Sequence, residues 1–282
     1  MCEFCHQHGE GKKWYLQAKN YSEDLLSDVK RRQFIKGFFT GGSEELAHAS
    51  EQLAKLHAAP PLIQSSIKRA VTRRMKREHF GQVLPIEDVA EIFNFVDSIV
   101  RTDCICRHTA LGREERYCYG VSLGRAANAF QEIVGEVDSS YLAGPDVHEQ
   151  ETMTAEEALE HFREHEREGC CHSVWTFVTP FIGGICNCDR ADCMAMQSTV
   201  VHGVKAMFRA EYVATTNSDL CTGCRACMRL CQFGALGFSA ATKKVYVDQL
   251  ACYGCGICRS ACTKGALSLA PRAEVPAVAK VW

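Results

Sequence analysis

The first hundred residues place apolar side chains at helical spacing. The clearest stretch runs from Leu84 to Val100, where Pro85 suits a first helical turn and Glu87 suits the positive end of the helix dipole. Its apolar residues recur at i, i+3, i+4 and i+7, at Val89, Ile92, Phe93, Val96 and Val100. We therefore expect a helix across 84–100 with one face in the core.

Three later segments carry weaker patterns. Thr154 followed by Glu157 is a capping-box signature, which predicts that a helix begins there and continues through the acidic residues to about 168. From about residue 213, short β-prone pieces such as 244–247 surround dense cysteine clusters. The tail from Pro271 to Trp282 has two prolines and no regular period, which favours an extended arm.

Composition changes this picture at one point, because the chain contains 18 cysteines. Disulfide scaffolds of that density belong to small exported chains, whereas this chain is long enough to build a core. Its N-terminal residues lack the pattern of a signal peptide, and the longest mostly apolar stretch, 175–185, is too short to cross a bilayer. We therefore expect a cytoplasmic protein without a membrane span, whose cysteines bind metal or carry out redox chemistry.

The strongest motif is a cysteine run that occurs twice. Two sets of four cysteines, 31 residues apart, have the spacing C-x2-C-x2-C-x3-C. They are Cys221, Cys224, Cys227 and Cys231, and Cys252, Cys255, Cys258 and Cys262. Gly-Ala-Leu at 234–236 recurs at 265–267 with the same offset, so the repeat extends beyond the cysteines. Three thiolates on one tight loop can hold three corners of a [4Fe–4S] cube, while the fourth comes from elsewhere.

This segment resembles the bacterial two-cluster [4Fe–4S] ferredoxins. In that family the fourth cysteine of each run binds the other cluster, so the resemblance implies two [4Fe–4S] clusters with crossed ligands. One set would be Cys221, Cys224, Cys227 and Cys262, and the other would be Cys252, Cys255, Cys258 and Cys231. Two zinc sites are the alternative, although zinc motifs pair two C-x2-C units instead.

The chain departs from the family at the residue after each fourth cysteine. Proline is usual there, but Gln232 and Thr263 occupy these positions. Each restores a backbone N–H, and we expect such a group to donate toward cluster sulfur and raise the reduction potential.

Six further thiols form a second candidate site, and two of its groups have a one-residue spacing that brings both sulfurs near one centre. They are Cys104, Cys106, Cys118, Cys186, Cys188 and Cys193. The order of these motifs before a two-cluster ferredoxin domain resembles ferredoxin-domain proteins of anaerobic microbes. We expect a third iron–sulfur cluster held by four or more of the six; the alternative is a set of buried, reduced thiols that pack as small apolar groups. Arg107 beside them would be a countercharge, an anion ligand or an ordinary surface residue.

The other cysteines are harder to assign. Cys2 and Cys5, with His6, His8 or another cysteine as a further ligand, suit a zinc or further iron–sulfur site. Residues 2–6 also spell the c-type haem attachment pattern, which belongs to exported proteins. A terminus without any ligand is the remaining alternative. Cys170 and Cys171 are adjacent and cannot easily bind one metal together, so at most one of them would contribute.

Charge narrows the choice of partners. With 32 basic and 34 acidic residues, the chain has no overall footprint for nucleic acid or anionic membrane. Six cations lie between Lys68 and Arg77 without an acid, which indicates either a docking patch or the solvated face of a helix. Protein redox partners are expected, within a larger complex or as separate carriers, and nucleic acid is not.

These observations predict an α+β protein. It would have a largely helical region at 1–100, a cysteine-rich middle domain at 101–212 that is also largely helical, a ferredoxin-like βαβ pseudo-repeat at 213–270 and the tail at 271–282. The favoured function is electron transfer, as an oxidoreductase component rather than a stand-alone enzyme. The alternatives are a reductase whose middle cluster is the active centre, and an iron–sulfur sensor that binds DNA through residues 68–77.

Overall fold

The computed structural model describes residues 13–56, 58–113, 115–124, 129–137 and 151–281. Two long helices, α1 (Val29–Leu56) and α2 (Pro61–Glu78), follow three short 3-10 turns. Strand β1 (Gly81–Leu84) leads into helix α3 (Ile86–Phe93). The helix predicted over 84–100 is therefore too long, since Val100 lies in the next strand. The error arises because the chain turns after residue 93 while its apolar residues continue to face the same core.

A seven-stranded sheet forms the centre of the molecule. Its further strands are β2 (Ser98–Thr102), β3 (Cys118–Ser122), β4 (Glu151–Thr152), β5 (Cys171–Thr176), β6 (Ile182–Cys188) and β7 (Met207–Phe208). The strand order is β4-β2-β3-β6-β5-β1-β7, and every pair is antiparallel except β1 with β7. The helices between these strands are α4 (Ile105–Leu111), α5 (Ala129–Gly135), α6 (Ala155–Glu168) and α7 (Met194–Met196), the last of which continues as a π-helical turn to Val201.

The sheet corrects the prediction that the middle region is largely helical. All six residues of β5 are buried, and β6 carries two glycines and two cysteines, so neither strand shows the alternation by which strands are recognised. The boundary predicted after residue 100 would cut strand β2, and β1 lies inside the same sheet. The sheet therefore draws strands from both of the first two predicted regions.

Helix α6 is confirmed where the capping signature placed it. The Thr154 hydroxyl accepts a hydrogen bond from the Glu157 amide, and the Glu157 carboxylate accepts one from the Thr154 amide at 2.9 Å. Gly169 ends the helix with a left-handed backbone. None of the helices in the described part of the chain has the length and apolar content needed to span a bilayer.

The C-terminal domain contains a short helix and two antiparallel strand pairs, of which one is a hairpin and the other joins the first and last strands of the domain. Its elements are β8 (Tyr212–Thr216), α8 (Ala226–Leu230), β9 (Leu236–Ser239), β10 (Lys244–Val247) and β11 (Leu267–Pro271), with β8 paired to β11 and β9 paired to β10. The chain beyond 271 is not the extended arm that was predicted. Arg272 forms a buried ion pair with Glu211 at 3.1 Å, and Val278 packs in the domain core. These contacts are long-range, so proline content and lack of period did not reveal them.

One buried carboxylate, that of Asp88, connects three parts of the molecule. It accepts hydrogen bonds from the Lys13 ammonium at 2.9 Å, the Tyr15 hydroxyl at 2.6 Å and the Tyr212 hydroxyl at 2.9 Å. These donors belong to the N-terminal turns and to strand β8. A buried charge is tolerated only when such partners compensate it, so Asp88 holds the C-terminal domain against α3.

Candidate functional site

A cavity in the C-terminal domain is lined by four thiols drawn from both cysteine runs. We call them the outer set: Cys221, Cys224, Cys227 and Cys262. Pairing of β8 with β11 returns the second run beside the first, which is how a residue 35 positions beyond Cys227 reaches the same cavity. The structure thus places together the four residues that the ferredoxin resemblance assigns to one cluster.

The other four thiols of the repeat also lie near one another, and we call them the inner set: Cys231, Cys252, Cys255 and Cys258. Burial, followed by the neighbouring thiols of Cys252 and Cys231, raises the pKa of Cys258 to about 12. Burial and the Cys258 thiol likewise raise the pKa of Cys255. Cys252, Cys255 and Cys258 are buried, whereas Cys224 of the outer set is exposed.

Two glycines show that the two cysteine runs share a backbone conformation as well as a sequence pattern. Gly223 and Gly254 have φ angles of 71° and 73°, in the left-handed region that favours glycine. A Cβ on Gly223 would lie 2.2 Å from the Lys243 carbonyl oxygen, and one on Gly254 would lie 2.1 Å from the Tyr212 carbonyl oxygen. Because these two carbonyls are also 31 residues apart, each loop is held against a strand in the same way.

Backbone amides point at the sulfurs of both sets. Hydrogen bonds from amides stabilise a thiolate and the negative charge of an iron–sulfur cluster, so these loops fit the group that the motif implies. Two such contacts occur in each half of the repeat, at equivalent positions. The amide–sulfur pairs are Val245 to Cys221 (3.4 Å), Ala214 to Cys252 (3.4 Å), Ala235 to Cys231 (3.2 Å) and Ala266 to Cys262 (3.3 Å).

Gln232 has a role that its position after a cysteine did not reveal. Its side-chain amide donates to the Gly169 carbonyl at 2.8 Å, and its side-chain oxygen accepts from the Arg190 amide at 2.9 Å. Both partners belong to the sheet domain. Gln232 therefore ties the ferredoxin-like domain to the loops that carry other cysteines, and only the fold could show this.

The six thiols of the second candidate site come together as one group, which we call the six-cysteine site. Cys118 and Cys186 are register partners on β3 and β6, with sulfurs 3.3 Å apart. Cys104 hydrogen-bonds to Cys106 and Cys118, and Cys193 to Cys106 and Cys188, so the sulfurs form one continuous series. The order of contact is Cys186, Cys118, Cys104, Cys106, Cys193 and Cys188.

Most of these thiols favour the protonated form. Hydrogen bonds to neighbouring thiols, together with burial, hold the pKa values of Cys104 and Cys193 well above the ordinary value. Cys106 is the exception: hydrogen bonds from Cys104 and Cys193, with the amides of Met194 and Ala195, lower its pKa.

Arg107 joins the two halves of the six-cysteine site. Its side chain is 5% exposed, and its guanidinium forms ion pairs with Asp189 and, at 3.0 Å, with Asp192. Tyr117 stacks on the guanidinium at 3.7 Å. Because Arg107 follows Cys106 and the two aspartates lie between Cys188 and Cys193, these ion pairs fasten helix α4 to the loop after β6. Arg107 is therefore not a surface residue.

The adjacent cysteines at 170 and 171 have different surroundings. The Cys170 sulfur lies 3.7 Å from an Arg107 nitrogen, and burial raises its pKa to about 12. Cys171 instead faces the thiols of Cys255 and Cys188. Burial and these two thiols raise the pKa of Cys171 well above the ordinary value. Cys171, Cys188 and Cys255 pack in one apolar cluster. Cys171 thus lies between the six-cysteine site and the inner set.

Within the described ranges, no three His, Cys, Asp or Glu side chains converge on one metal position. Cys2, Cys5 and His6 lie outside the described residues, and their assignment stays a prediction.

Comparison with known proteins covers the C-terminal domain alone. Residues 209–266 match the family model of the 4Fe-4S dicluster domain, which spans 58 of the 282 residues. The match supports a ferredoxin-type iron–sulfur domain in this part of the chain, and with it iron–sulfur electron transfer. No curated protein matches the chain.

Proposed function

We propose that this chain is an iron–sulfur electron-transfer protein, or the electron-transfer subunit of a low-potential redox complex. The outer and inner sets would each hold a [4Fe–4S] cluster, and the six-cysteine site would hold a third cluster. When bound, iron–sulfur clusters accept and release single electrons. The protein contributes potential and access through hydrogen bonds, burial and nearby charge.

The observation that carries this proposal is the position of Cys171. Its thiol lies beside Cys255 of the inner set and Cys188 of the six-cysteine site, in a cluster of buried apolar side chains. Phe233 and Tyr253 stack at 4.1 Å in the same region. A water-poor junction between two groups of metal-binding thiols is what transfer between them needs, because electron-transfer rates fall steeply with distance.

The three groups also differ in access. The outer set includes exposed Cys224, the inner set is buried apart from the half-buried Cys231, and the six-cysteine site shares an apolar cluster with Cys255 of the inner set and contains no exposed thiol. This order favours a route from the surface inward, in which the inner set connects the other two. A free electron carrier would need only the C-terminal domain. We therefore assign to the rest of the chain the site that receives or donates the electrons.

The test is the metal content of the full chain purified without oxygen. Two ferredoxin clusters correspond to about eight irons with matching sulfide, and a third cluster raises the count to about twelve. EPR of the reduced protein should show a third signal at the higher count. About eight irons and no third signal would remove the third cluster from the proposal while leaving the ferredoxin-type domain intact.

A second candidate function is reduction of a substrate at the six-cysteine site. It is favoured by the number of thiols, since a [4Fe–4S] cluster takes four ligands and this site supplies six. An unusual cluster with an open metal position would bind added cyanide and change its EPR signal. Unchanged spectra with cyanide would favour simple electron transfer.

A further inference from the structure

The outer set lies beneath a surface rich in positive charge. Among the cysteines that the structure describes, Cys224 alone is exposed. The residues that line the cavity of the outer set include Arg225 and Lys264 and no carboxylate. Arg229 lies on helix α8, which directly follows Cys224 and Arg225, and its side chain is exposed.

The charge of this face is a local property, because the whole chain has a formal charge of −2. Segments 216–230, 243–245 and 261–267, which surround the cavity, contain five cations and one carboxylate, Asp219. Two of the cations are held in place: Arg225 stacks on Phe238 at 4.4 Å, and Lys244 donates to the Cys221 carbonyl at 2.6 Å. Arg225, Arg229, Lys243 and Lys264 are exposed.

The inner set cannot pass electrons directly to an external partner, because the sheet domain covers it. Gln232 bonds to Gly169 and Arg190, and Arg259, next to Cys258, pairs with Glu87 through contacts of 2.7 and 2.8 Å. Cys224 is the most accessible of the described thiols, so the outer set offers a partner the most direct approach.

We propose that the face formed by Arg225, Arg229, Lys243 and Lys264 is the docking surface for an acidic, single-electron carrier protein. Complementary charge attracts such a partner and orients its redox centre toward Cys224. This inference rests on the proposed electron-transfer function and adds the site and the chemistry of the partner.

The experiment uses two acceptors of opposite charge. One electron leaves the dithionite-reduced full chain and converts the ferric iron of the acceptor to ferrous, either in rubredoxin, which is acidic, or in cytochrome c, which is basic. We expect the stopped-flow rate with rubredoxin to fall on the order of 10-fold as salt rises from low to physiological ionic strength. The rate with cytochrome c should not fall.

Two matched variants locate the effect. Arg229→Glu with Lys264→Glu should lower the low-salt rate with rubredoxin about 10-fold and remove its salt dependence. Lys68→Glu with Arg73→Glu changes the net charge equally on helix α2 and should leave the rate near that of the wild type. The milder double variant, Arg229→Gln with Lys264→Gln, should give a rate between those of the two glutamate variants. Iron counts check that each variant carries its full set of clusters.

A binding measurement separates this inference from the proposed function. The oxidised chain, which transfers no electron, should be retained on immobilised rubredoxin at low salt and released by salt, and the Arg229/Lys264 variant should not be retained. Equal retention of that variant, or equal loss in the α2 variant, would overturn the docking surface. So would a shifted midpoint potential with unchanged binding, because the cations would then act on the cluster charge alone.

Discussion

The ferredoxin-like domain and the six-cysteine site assemble their thiols in opposite ways. In the domain, three cysteines of each set lie within seven consecutive residues, on loops whose glycines adopt a left-handed backbone. In the six-cysteine site, Cys118 and Cys186 meet across strands although 68 residues separate them. The first kind of site is a property of a loop, whereas the second depends on the sheet.

The immediate surroundings of the sulfurs differ as well. Sulfurs of the domain accept backbone N–H groups, such as those of Ala235 and Ala266, which stabilise negative charge in advance. Sulfurs of the six-cysteine site mainly contact one another, and these contacts, with burial, hold the pKa values of Cys104 and Cys193 above the ordinary value. The two groups of thiols therefore differ in what stabilises negative charge on sulfur.

The largest expected effect tests whether the six thiols hold a cluster at all. Cys188→Ser should remove about four irons and one EPR signal while leaving the ferredoxin signals unchanged. Cys170→Ser is the matched control, because Cys170 is also buried but lies beside Arg107, outside the series of sulfur contacts. Loss of iron in Cys170→Ser would make that residue a ligand, and about twelve irons in both variants would place the ligands among the other five thiols. About eight irons in the wild type and in both variants would mean that the six thiols bind none.

A smaller effect should follow from breaking the ion pairs that fasten α4 to the loop after β6. Arg107→Met leaves Asp189 without its buried partner, which costs about 3–5 kcal/mol for pairs of this kind. We expect a lower melting temperature and a broadened third EPR signal, with the ferredoxin signals unaffected.

Arg107→Lys keeps the charge but loses the planar contact with two carboxylates and with Tyr117. It should recover part of the melting temperature and little of the EPR line shape. If Arg107→Met left the third signal unchanged, the ion pairs would support the fold without positioning the cysteines.

Acid should act on the sheet domain and not on the ferredoxin-like domain, because residues 213–282 contain no histidine. Burial lowers the pKa of His165 from its ordinary value of 6.5 to about 4. As pH falls below 6.5 the unfolded chain binds a proton at this position and the folded chain does not, so stability falls until pH 4. His165 should contribute a loss of about 2 kcal/mol at pH 5.

Anaerobic thermal melts between pH 7 and pH 5 measure this loss. His165→Gln should flatten the decline in melting temperature, and His161→Gln, at a half-buried position of the same helix, should not. Identical slopes for wild type and His165→Gln would show that this histidine does not account for the acid sensitivity.

The smallest effect concerns the contact between the two regions. Gln232→Ala removes both side-chain hydrogen bonds but keeps the backbone N–H, and should cost about 1–2 kcal/mol with little change in midpoint potential. Gln232→Pro removes the N–H too, and Thr263→Pro removes only an N–H. If the N–H groups raise the potentials, a redox titration should show lower midpoints in both proline variants and not in Gln232→Ala.

These comparisons show how far local pattern reaches in this chain. The capping box of α6 was predicted correctly because its bonds join Thr154 and Glu157, three residues apart. The strands β5 and β6 were missed because burial on both faces removes the alternation that marks a strand. Val100 was placed in a helix because it is buried and apolar at helical spacing from Val96, although in strand β2 it is Ile99 that packs with the residues of α3.

The sequence by itself identified the eight cysteines of the repeat as one motif, because the spacing within each run is local. The same 31-residue offset also relates Gly223 to Gly254. It also singled out the six thiols of the second site, though not their neighbours. Tertiary structure decided that those six meet, that Arg107 holds them with two aspartates, and that Cys171 lies between them and Cys255. Such contacts depend on which strands pair, and strand pairing and register are set by the apolar surface that the whole chain buries.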